Sequence, residues 1–369
     1  APAQYAYLAE EVKKVVKVPV IASNRINTPE LAERLIAEGR VDMVTMARAL
    51  IADPEMPRKA LEGRVDEIRP CVACNQGCYD RLFANLDISC MSNPAAGRED
   101  EFAIRPAPNP RKVMVVGGGP AGMEAARVAA SRGHQVTLYE KSSALGGQLA
   151  LAAVPPGKGE INSLVSYYSN QMARLGVKVN LGQEATAETV GREKAEAVIV
   201  AAGASPIIPN MAGVNGQNVV TALDVLAGKS GAGERVVIVG GGQVGVETAD
   251  YLAEQGKKVT ILEMLDKIGP DLGVTVRWIV MKRIAEKGIK SFSGARVQEI
   301  TSKGVTYEKD GASRFLEADT VVLAVGARAE KKLTQELESK VEVYAVGDCV
   351  QARKALDAIY EGAKAGLSV

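Results

Sequence analysis

Histidine and aromatic residues are scarce in this 369-residue sequence, which has one histidine and only 4% aromatic side chains. A single histidine cannot form the imidazole clusters or histidine-based relays that many metal sites and hydrolases use. We expect that residue, His134, to pack or to meet helix carbonyl groups, because it follows a helix predicted to end near Gly133. The sequence therefore argues against histidine-based catalysis.

Neither an excess of one charge nor a long apolar run is present. Lys and Arg total 45 and Asp and Glu total 44, which gives a net charge of +1. A balanced charge provides no field that would concentrate nucleic acid or an anionic membrane. No apolar run approaches the roughly 20 residues of a membrane span, and the first segment has no secretory hydrophobic region. We predict a cytoplasmic protein whose partners are small molecules, with no nucleic-acid or membrane partner.

The N-terminal segment holds only two strand–helix units. Residues 18–23 and 41–47 have the composition of short buried strands, and a helix with Thr28 as its N-cap is predicted between them. An amphipathic helix is predicted at residues 5–16. Two such units cannot close a sheet, and the chain begins at Ala1 without an initiator methionine. We expect that an N-terminal portion is missing.

Cysteine is also rare, but four of the five cysteines lie within twenty residues. They are Cys71, Cys74, Cys78 and Cys90. In a reducing compartment such concentration indicates a metallocentre. The C-x2-C-x3-C spacing with a remote fourth cysteine favours an iron–sulfur cluster, whereas structural zinc usually has two separated C-x2-C pairs. Zinc stays the alternative, and the fifth cysteine, Cys349, is expected to be a small buried filler.

A glycine-rich turn follows the proline-rich linker at 105–110. Residues 112–117 form a predicted strand, a helix follows, and residues 135–140 form a second strand ending in an acid. The three glycines and the acid are Gly117, Gly119, Gly122 and Glu140. Between a strand and a helix this pattern is the fingerprint of a dinucleotide site: a tight turn, close approach to the pyrophosphate, and a carboxylate for the ribose hydroxyls.

The whole pattern occurs a second time, 123 residues later, since Gly117 corresponds to Gly240 and Glu140 to Glu263. The second set is Gly240, Gly242, Gly245 and Glu263. Agreement of every element at one offset predicts that two dinucleotides bind. The alternative is one functional site and one decayed copy.

Residues 23–60 are similar to the last two βα units of the flavin-binding (β/α)8 barrel in 2,4-dienoyl-CoA reductases and enoate reductases. In that family the loops after strands seven and eight hold the FMN phosphate. The resemblance implies that Arg25, Ala47 and Arg48 bind this phosphate; the alternative is that both arginines pair with surface carboxylates. The segments CVACNQGCYD and ISCMSNPAAGRE resemble the four-iron motif of the same family, which implies all four clustered cysteines as ligands.

The remaining chain resembles the flavoprotein disulfide reductase superfamily. The segment after Glu140 is similar to the one that passes beside FAD there, and VEVYAVGDC at 341–349 is similar to its second FAD motif. The FAD residues that this resemblance adds are Gly147, Gln148, Gly203 and Asp348. The second glycine turn, with Gly326, is then assigned to NAD. The redox C-x-x-C of disulfide reductases is absent from residues 141–349.

The implied fold class is α/β, with two interleaved Rossmann-like domains after the last two βα units of a barrel and a 4Fe–4S segment. The expected divisions are 1–68 for the barrel remnant, 69–105 for the cluster segment, 106–205 with 330–369 for the FAD domain, and 206–329 for the inserted NAD(P)H domain. Glu263 favours NADH over NADPH, because a carboxylate repels a 2′-phosphate and no arginine follows it.

The resemblance implies that electrons pass from NADH through FAD and the cluster to FMN, where an activated C=C bond of an unsaturated acid or acyl-CoA is reduced. No residue can be assigned to the chemical step on the substrate. Three alternatives stay open. The first is an amine-dehydrogenase-like enzyme in which electrons flow outward from the substrate and the second nucleotide site is only structural. The others are an electron-transfer subunit that docks on a separate barrel chain and a zinc-stabilised scaffold without turnover. We expect an oligomer.

Overall fold

The N-terminal region forms a small α/β layer in the computed structural model, which describes residues 2–369. Its elements are α1 (Ala6–Lys13), β1 (Ile21–Ala22), α2 (Pro29–Ala37), β2 (Met43–Val44), α3 (Ala47–Ala52) and α4 (Met56–Leu61). β1 and β2 pair in parallel. Helix α2 begins as predicted, because the Thr28 side chain accepts a hydrogen bond from the Leu31 N–H at 3.3 Å.

The strands predicted for this layer are longer and more buried than the strands observed. Each strand has two residues, and residue 47 opens helix α3 instead of ending a strand. Ile21 and Met43 are 51% and 47% exposed, and Leu8, Val12 and Val15 of the N-terminal segment are also exposed. The reason is that the described residues provide one layer of packing, around Ala22 and Leu35, and nothing covers the opposite face.

The cysteine-rich segment has little regular structure. Its elements are a 3-10 turn (Val65–Glu67) and α5 (Tyr79–Phe83). The linker at 105–110 has neither helix nor strand, as the prolines predict.

The first glycine turn lies in a parallel α/β domain. Its elements up to the insertion are β3 (Lys112–Val116), α6 (Pro120–Ser131), β4 (Gln135–Glu140), α7 (Gln148–Ala152), α8 (Ile161–Arg174), β5 (Lys178–Leu181), α9 (Ala187–Glu193), β6 (Ala197–Val200) and β7 (Ala204–Pro206). With the later strand β17 (Glu342–Ala345), the sheet order is β17-β6-β3-β4-β5, and every pairing is parallel. Alanines of α6 pack on the strand residues, which brings this helix close to the sheet.

The second glycine turn lies in an inserted domain. Its elements are β8 (Val219–Thr221), α10 (Ala222–Leu226), β9 (Arg235–Val239), α11 (Gln243–Glu254), β10 (Lys258–Leu262), α12 (Val274–Glu286), β11 (Lys290–Phe292), β12 (Arg296–Thr301), β13 (Gly304–Lys309), β14 (Ala312–Glu317), β15 (Thr320–Leu323) and β16 (Ala327–Ala329). The parallel sheet has the order β11-β10-β9-β15-β8, and β12-β13-β14 form an antiparallel sheet that the sequence did not reveal.

The chain then returns to the first domain. The last elements are α13 (Lys332–Leu337), β17 (Glu342–Ala345), a 3-10 turn (Gly347–Cys349) and α14 (Ala355–Ser368). β17 pairs with β6, while β7 and β16 pair antiparallel as the two crossings between the domains. This topology confirms that the second domain interrupts the first. No helix within residues 2–369 is long and apolar enough to span a membrane.

Three single-residue expectations have different outcomes. His134 is buried and its Nδ1 accepts a hydrogen bond from the Arg111 N–H at 3.1 Å, which confirms packing against backbone. Cys349 is 1% exposed, as expected of a filler. The helical pattern around Trp278 predicts a residue that packs within its helix, but Trp278 is 63% exposed, because α12 buries only Ile284 fully.

Candidate functional site

The first glycine turn has no room for side chains at two of its glycines. A Cβ on Gly117, whose φ is +107°, would lie 2.2 Å from the Ala201 carbonyl oxygen. A Cβ on Gly122 would lie 1.9 Å from the Gly117 carbonyl oxygen, so α6 can begin against the strand only with glycine there. The turn therefore fits the close approach of backbone to a pyrophosphate.

The acid of the first pattern is held by backbone N–H groups. Glu140 is 7% exposed. Its Oε2 accepts from Gly118 at 2.7 Å, and its Oε1 accepts from Ser142 at 2.7 Å. The carboxylate is thus fixed beside the glycine turn, where its remaining lone pairs fit ribose hydroxyls.

The second pattern repeats this geometry. Gly240 also has φ +107°, and a Cβ on Gly245 would lie 2.0 Å from the Gly240 carbonyl oxygen. Glu263 is 7% exposed and accepts from the Gly241 N–H at 2.6 Å and the Leu265 N–H at 2.8 Å. The two copies agree in hydrogen bonds as well as in spacing, which argues against a decayed second site.

Other residues predicted to contact FAD gather at the first turn. A Cβ on Gly147 would lie 3.1 Å from the Gly119 Cα, and a Cβ on Gly347, which precedes Asp348, would lie 3.0 Å from the Ala121 Cβ. Burial raises the pKa of Asp348, and its Oδ1 accepts from the Arg353 N–H at 3.0 Å. The segments after β4 and β17 therefore converge where α6 begins.

The remaining glycines and the glutamine lie around the two crossings. The Gln148 side chain donates to the Ala204 carbonyl at 3.4 Å, and the Gly203 carbonyl accepts from the Glu330 N–H at 3.1 Å. Gly326 has φ +103°, and the nearest atom to a Cβ there would be Ile207 Cδ1 at 3.6 Å. Gly119 and Gly242 precede the first residues of α6 and α11. Their roles in binding stay predictions.

The four clustered cysteines line one cavity. Backbone N–H groups face their sulfurs: Ala73 toward Cys71, Gln76 toward Cys74, and Ser92 and Asn93 toward Cys90. Such hydrogen bonds stabilise thiolates and set the potential of an iron–sulfur cluster. The donor set therefore suits a thiolate-bound centre.

Close backbone contact brings the fourth cysteine to the other three. A Cβ on Gly77 would lie 2.5 Å from the Ser89 carbonyl oxygen, and the Ser89 N–H donates to the Gly77 carbonyl at 2.7 Å. Cys78 and Cys90 flank these two residues. Only glycine at position 77 allows the two halves of the motif to approach this closely.

A metal centre at the clustered cysteines would need them as thiolates, because thiolates and not thiols are the metal ligands. Burial raises the pKa values of Cys71 and Cys90 and raises that of Cys74 to about 12, so assembly must displace protons.

The two arginines predicted to bind the FMN phosphate have protein partners. Arg25 forms an ion pair with Glu160, which agrees with the alternative that the arginines pair with carboxylates. Arg48 has a different partner, since its Nη1 donates to the Asn75 side-chain oxygen at 3.0 Å. Ala47 is the first residue of α3. The phosphate role of these three residues stays a prediction.

Two contacts that the sequence did not reveal join the domains. Lys158 Nζ lies 2.7 Å from both carboxylate oxygens of Glu247, at the start of α11. Asp80 of the cysteine-rich segment accepts from the Thr275 hydroxyl at 2.8 Å, which attaches α5 to α12. The partners are 89 and 195 residues apart in the sequence, so local sequence patterns cannot predict these pairs.

A buried charge network connects the cysteine-rich segment to the helix after the first glycine turn. Glu124 of α6 is fully buried, and its carboxylate lies 2.7 Å from Arg127 and 4.0 Å from Arg69. Arg69 also donates to the Asn93 side-chain oxygen at 2.9 Å. Although burial favours protonation, the Arg127 charge holds the pKa of Glu124 below its usual value.

Glu124→Ala should lower the free energy of unfolding by about 3–5 kcal/mol, because it leaves two buried guanidinium groups without a carboxylate. Urea unfolding with the native flavin signal as the probe measures the loss. The control is Arg58→Ala, which removes an exposed pair with Glu55 and should change stability by about 0–1 kcal/mol. Equal losses for the two variants would contradict a structural role for the network.

Comparison with known proteins agrees with this geometry. The profile described as pyridine nucleotide-disulphide oxidoreductase matches residues 111–366. The chain belongs to this family. A second profile, the NADH:flavin oxidoreductase / NADH oxidase family, matches residues 2–67 of this pyridine nucleotide-disulphide oxidoreductase. The order of the two matches confirms the resemblance to the C-terminal portion of 2,4-dienoyl-CoA and enoate reductases, and the predicted cofactor set of FAD, NADH, FMN and a four-iron cluster agrees with it.

Several relatives match almost the whole oxidoreductase chain. It is 43% identical over 394 residues to a metal reductase of Desulforamulus reducens, covering 98% of this chain and 59% of the relative. It is 47% identical over 365 residues to an NADH oxidase of Thermoanaerobacter brockii, covering 96% of this chain and 56% of the relative. A solved structure of a 2-naphthoyl-CoA reductase complex matches with a TM-score of 0.97 at 39% identity, covering 100% of this chain and 57% of the reductase chain. The chain thus spans a little over half the length of these proteins.

Proposed function

We propose that this chain is the electron-input part of an iron–sulfur flavoprotein that uses NADH to reduce an activated C=C bond. The observation that carries the proposal is where the cysteine-rich segment packs. Val72 and Met91 share one hydrophobic core with Met123, the residue after Gly122, and with Leu149 of α7. Arg48 and Ile51 of the barrel-like region line the same cavity as the four cysteines. The cysteine-rich segment thus contacts both of the regions proposed to bind flavins.

Bound FAD and a four-iron cluster would supply the conversion of a two-electron donor into single electrons for a separate FMN site. The chain's own residues orient the nucleotides. Glu140 and Glu263 fix the ribose ends beside the two glycine turns, and the thiolates of the four clustered cysteines would hold the cluster. Hydride transfer between the nicotinamide and the flavin needs no acid or base from the protein, so the contribution of the chain would be to position the two nucleotides.

The substrate class we propose is an unsaturated acid or acyl-CoA. This class follows from the resemblance to enoate and dienoyl-CoA reductases and from the likeness to 2-naphthoyl-CoA reductase. We also propose that a barrel, on the same chain or on a separate one, binds this substrate. Oligomer formation, a cytoplasmic location and the four domain divisions are proposals as well.

Anaerobic titration with NADH tests the proposal. NADH should bleach the flavin absorbance and produce the paramagnetic signal of a reduced cluster. Bleaching with a silent cluster, or zinc without iron and sulfide, would rule out the relay. Steady-state oxidation of NADH separates the proposal from an amine-dehydrogenase-like enzyme, in which the second nucleotide site would not turn over.

Glu263→Gln should weaken NADH binding about tenfold, because the carboxylate that accepts from the ribose hydroxyls is lost. NADPH binding should be nearly unchanged, because the lost ribose contact is offset by relief of the repulsion between the carboxylate and the 2′-phosphate. Glutamine keeps the side-chain length, so the acceptor for the Gly241 or Leu265 N–H is retained. Rapid-mixing measurements of flavin reduction give both affinities. Glu140→Gln is the matched control, since it changes the other nucleotide site. A wild-type preference for NADPH would refute the assignment.

A further inference from the structure

One carboxylate of the cysteine-rich segment binds the inserted domain. The Asp80 Oδ1 atom accepts from the Thr275 hydroxyl at 2.8 Å and from the Thr275 N–H at 3.2 Å. The same hydroxyl accepts from the Asn75 side-chain N–H at 3.1 Å. Within residues 2–369, the Asp80 side chain has no other hydrogen bond and no Lys or Arg partner. Its half-buried carboxylate therefore serves the contact with α12.

Asp80 supplies the cap that helix α12 lacks in its own sequence. The helix begins after Gly273, which has no side chain to cap it, and its first turn contains no acidic residue. The first N–H groups of a helix need acceptors, and a carboxylate also suits the positive end of the helix dipole. A Cβ on Gly273 would lie 2.1 Å from the Asp80 Oδ2, so any larger residue there would displace the carboxylate.

The start of α12 is tied to the second glycine turn within the inserted domain. The Arg277 side chain donates to the Gly269 carbonyl at 3.0 Å and to the Ile268 carbonyl at 2.8 Å. The Gly269 N–H in turn donates to the Gly241 carbonyl at 2.6 Å. The helix start and the glycine turn are therefore held together, and a shift of one shifts the other.

The cysteine-rich segment belongs with the first α/β domain, since Val72 and Met91 share a hydrophobic core with Met123 and Leu149. The chain crosses between the two domains at β7 and β16, a pair of three-residue strands. Domains joined by short links move relative to each other unless contacts hold them. The Asp80 contact is such a hold, because it attaches the inserted domain to a segment that packs on the first domain.

We propose that Asp80 is a positioning residue for hydride transfer, which holds the inserted domain in the orientation that brings NADH to FAD. The reacting atoms must approach within about 3–3.5 Å, and a misplacement of about 1 Å can cost about 100-fold in rate. The glycine turn and Glu263 lie inside the inserted domain and keep their contacts when the domain shifts. Loss of Asp80 therefore changes the rate and not the affinity for NADH. The inference rests on the proposed function.

Asp80→Ala tests the role by anaerobic stopped-flow reduction of the flavin over a series of NADH concentrations. The limiting rate should fall at least about tenfold, while the Kd for NADH changes less than about twofold. Reduction by dithionite, which needs no nicotinamide, should stay as in the wild type. Asp80→Asn keeps an oxygen that accepts from both Thr275 groups and should restore most of the rate. Asp87→Ala, an exposed acid of the same segment, is the matched control and should change nothing.

Gly273→Ala tests the same contact from the inserted domain and leaves the cysteine-rich segment unchanged. The new methyl group displaces the Asp80 carboxylate, so the limiting rate should fall as it does in Asp80→Ala. In the double variant the second change should add little, because both remove one contact. Should Asp80→Ala lose iron, Gly273→Ala decides the question.

The outcomes separate the inference from the proposed function. A wild-type limiting rate in the deciding variant would overturn the role of Asp80 and leave the relay intact. Weaker NADH binding at an unchanged limiting rate, additive losses in the double variant, or an equal loss in Asp87→Ala would also overturn it. Wild-type protein whose flavin NADH does not reduce would instead overturn the proposed function itself.

Discussion

Replacing Cys78 with alanine should remove the iron–sulfur cluster and leave FAD in place. Three remaining thiols line the cavity, but one iron atom would lack its protein ligand, and loss of a single thiolate commonly prevents assembly. We expect iron and sulfide to fall to less than about a tenth of the wild-type content. NADH should still bleach the FAD absorbance, because both glycine turns lie outside the cysteine-rich segment. Iron and sulfide analysis with an anaerobic NADH titration measures both effects.

Cys349→Ala is the matched control for this variant. Cys349 is buried and far in sequence from the other four cysteines, and its sulfur lies 3.1 Å from both the Val200 and the Val346 carbonyl oxygens, one of which can accept its S–H. Its removal should leave iron and sulfide unchanged. Retention of the cluster in Cys78→Ala, or its loss in Cys349→Ala, would show that the ligand set is wrong.

Much of the nucleotide-binding architecture could be predicted because its causes are local. A glycine that must have positive φ, such as Gly117, and an acid at the end of the next strand, such as Glu140, lie within one strand–helix–strand unit. Their repetition at one offset then predicts a second copy. Thr28 is a similar case, since an N-cap followed by proline specifies where a helix begins.

The contacts that join these units could not be predicted, because they form between residues far apart in sequence. Arg25 meets Glu160 across 135 positions, and Asp80 meets Thr275 across 195. Nothing in the periodicity around Trp278 reveals that its helix lies at the surface. Burial of Glu124 was equally hidden, since a charged residue on a helix is usually solvated unless it is paired.

The cysteine centre depends on both kinds of information. The spacing of the first three cysteines indicates an iron–sulfur cluster, but the spacing says nothing about its surroundings. Only the fold shows that Val72 and Met91 pack on the helix that follows the first glycine turn, and that Arg48 lies in the cavity wall. These contacts place the centre next to the first α/β domain and beside the barrel-like region.

The internal repeat allows the two nucleotides to be assigned with a matched pair of variants, Gly122→Ala and Gly245→Ala. The new methyl groups would lie 1.9 Å and 2.0 Å from the carbonyl oxygens of Gly117 and Gly240, so each turn must move away from its pyrophosphate. Gly122→Ala should be isolated without FAD. Gly245→Ala should keep FAD and iron, but NADH should reduce its flavin at least about 100-fold more slowly. Flavin content and stopped-flow reduction measure the two outcomes.

Gly191→Ala, in the interior of α9, is the control for this pair, because a Cβ there meets no atom within 4 Å. It should bind FAD and react with NADH as the wild type does. The reverse pattern, in which Gly245→Ala loses FAD and Gly122→Ala loses only its response to NADH, would exchange the two assignments. A normal response to NADH in Gly245→Ala would instead revive the alternative that the second glycine turn is a decayed copy, despite the shared hydrogen bonds of Glu140 and Glu263. The two variants carry the same chemical change at equivalent positions, so any difference between them reports which nucleotide each turn holds.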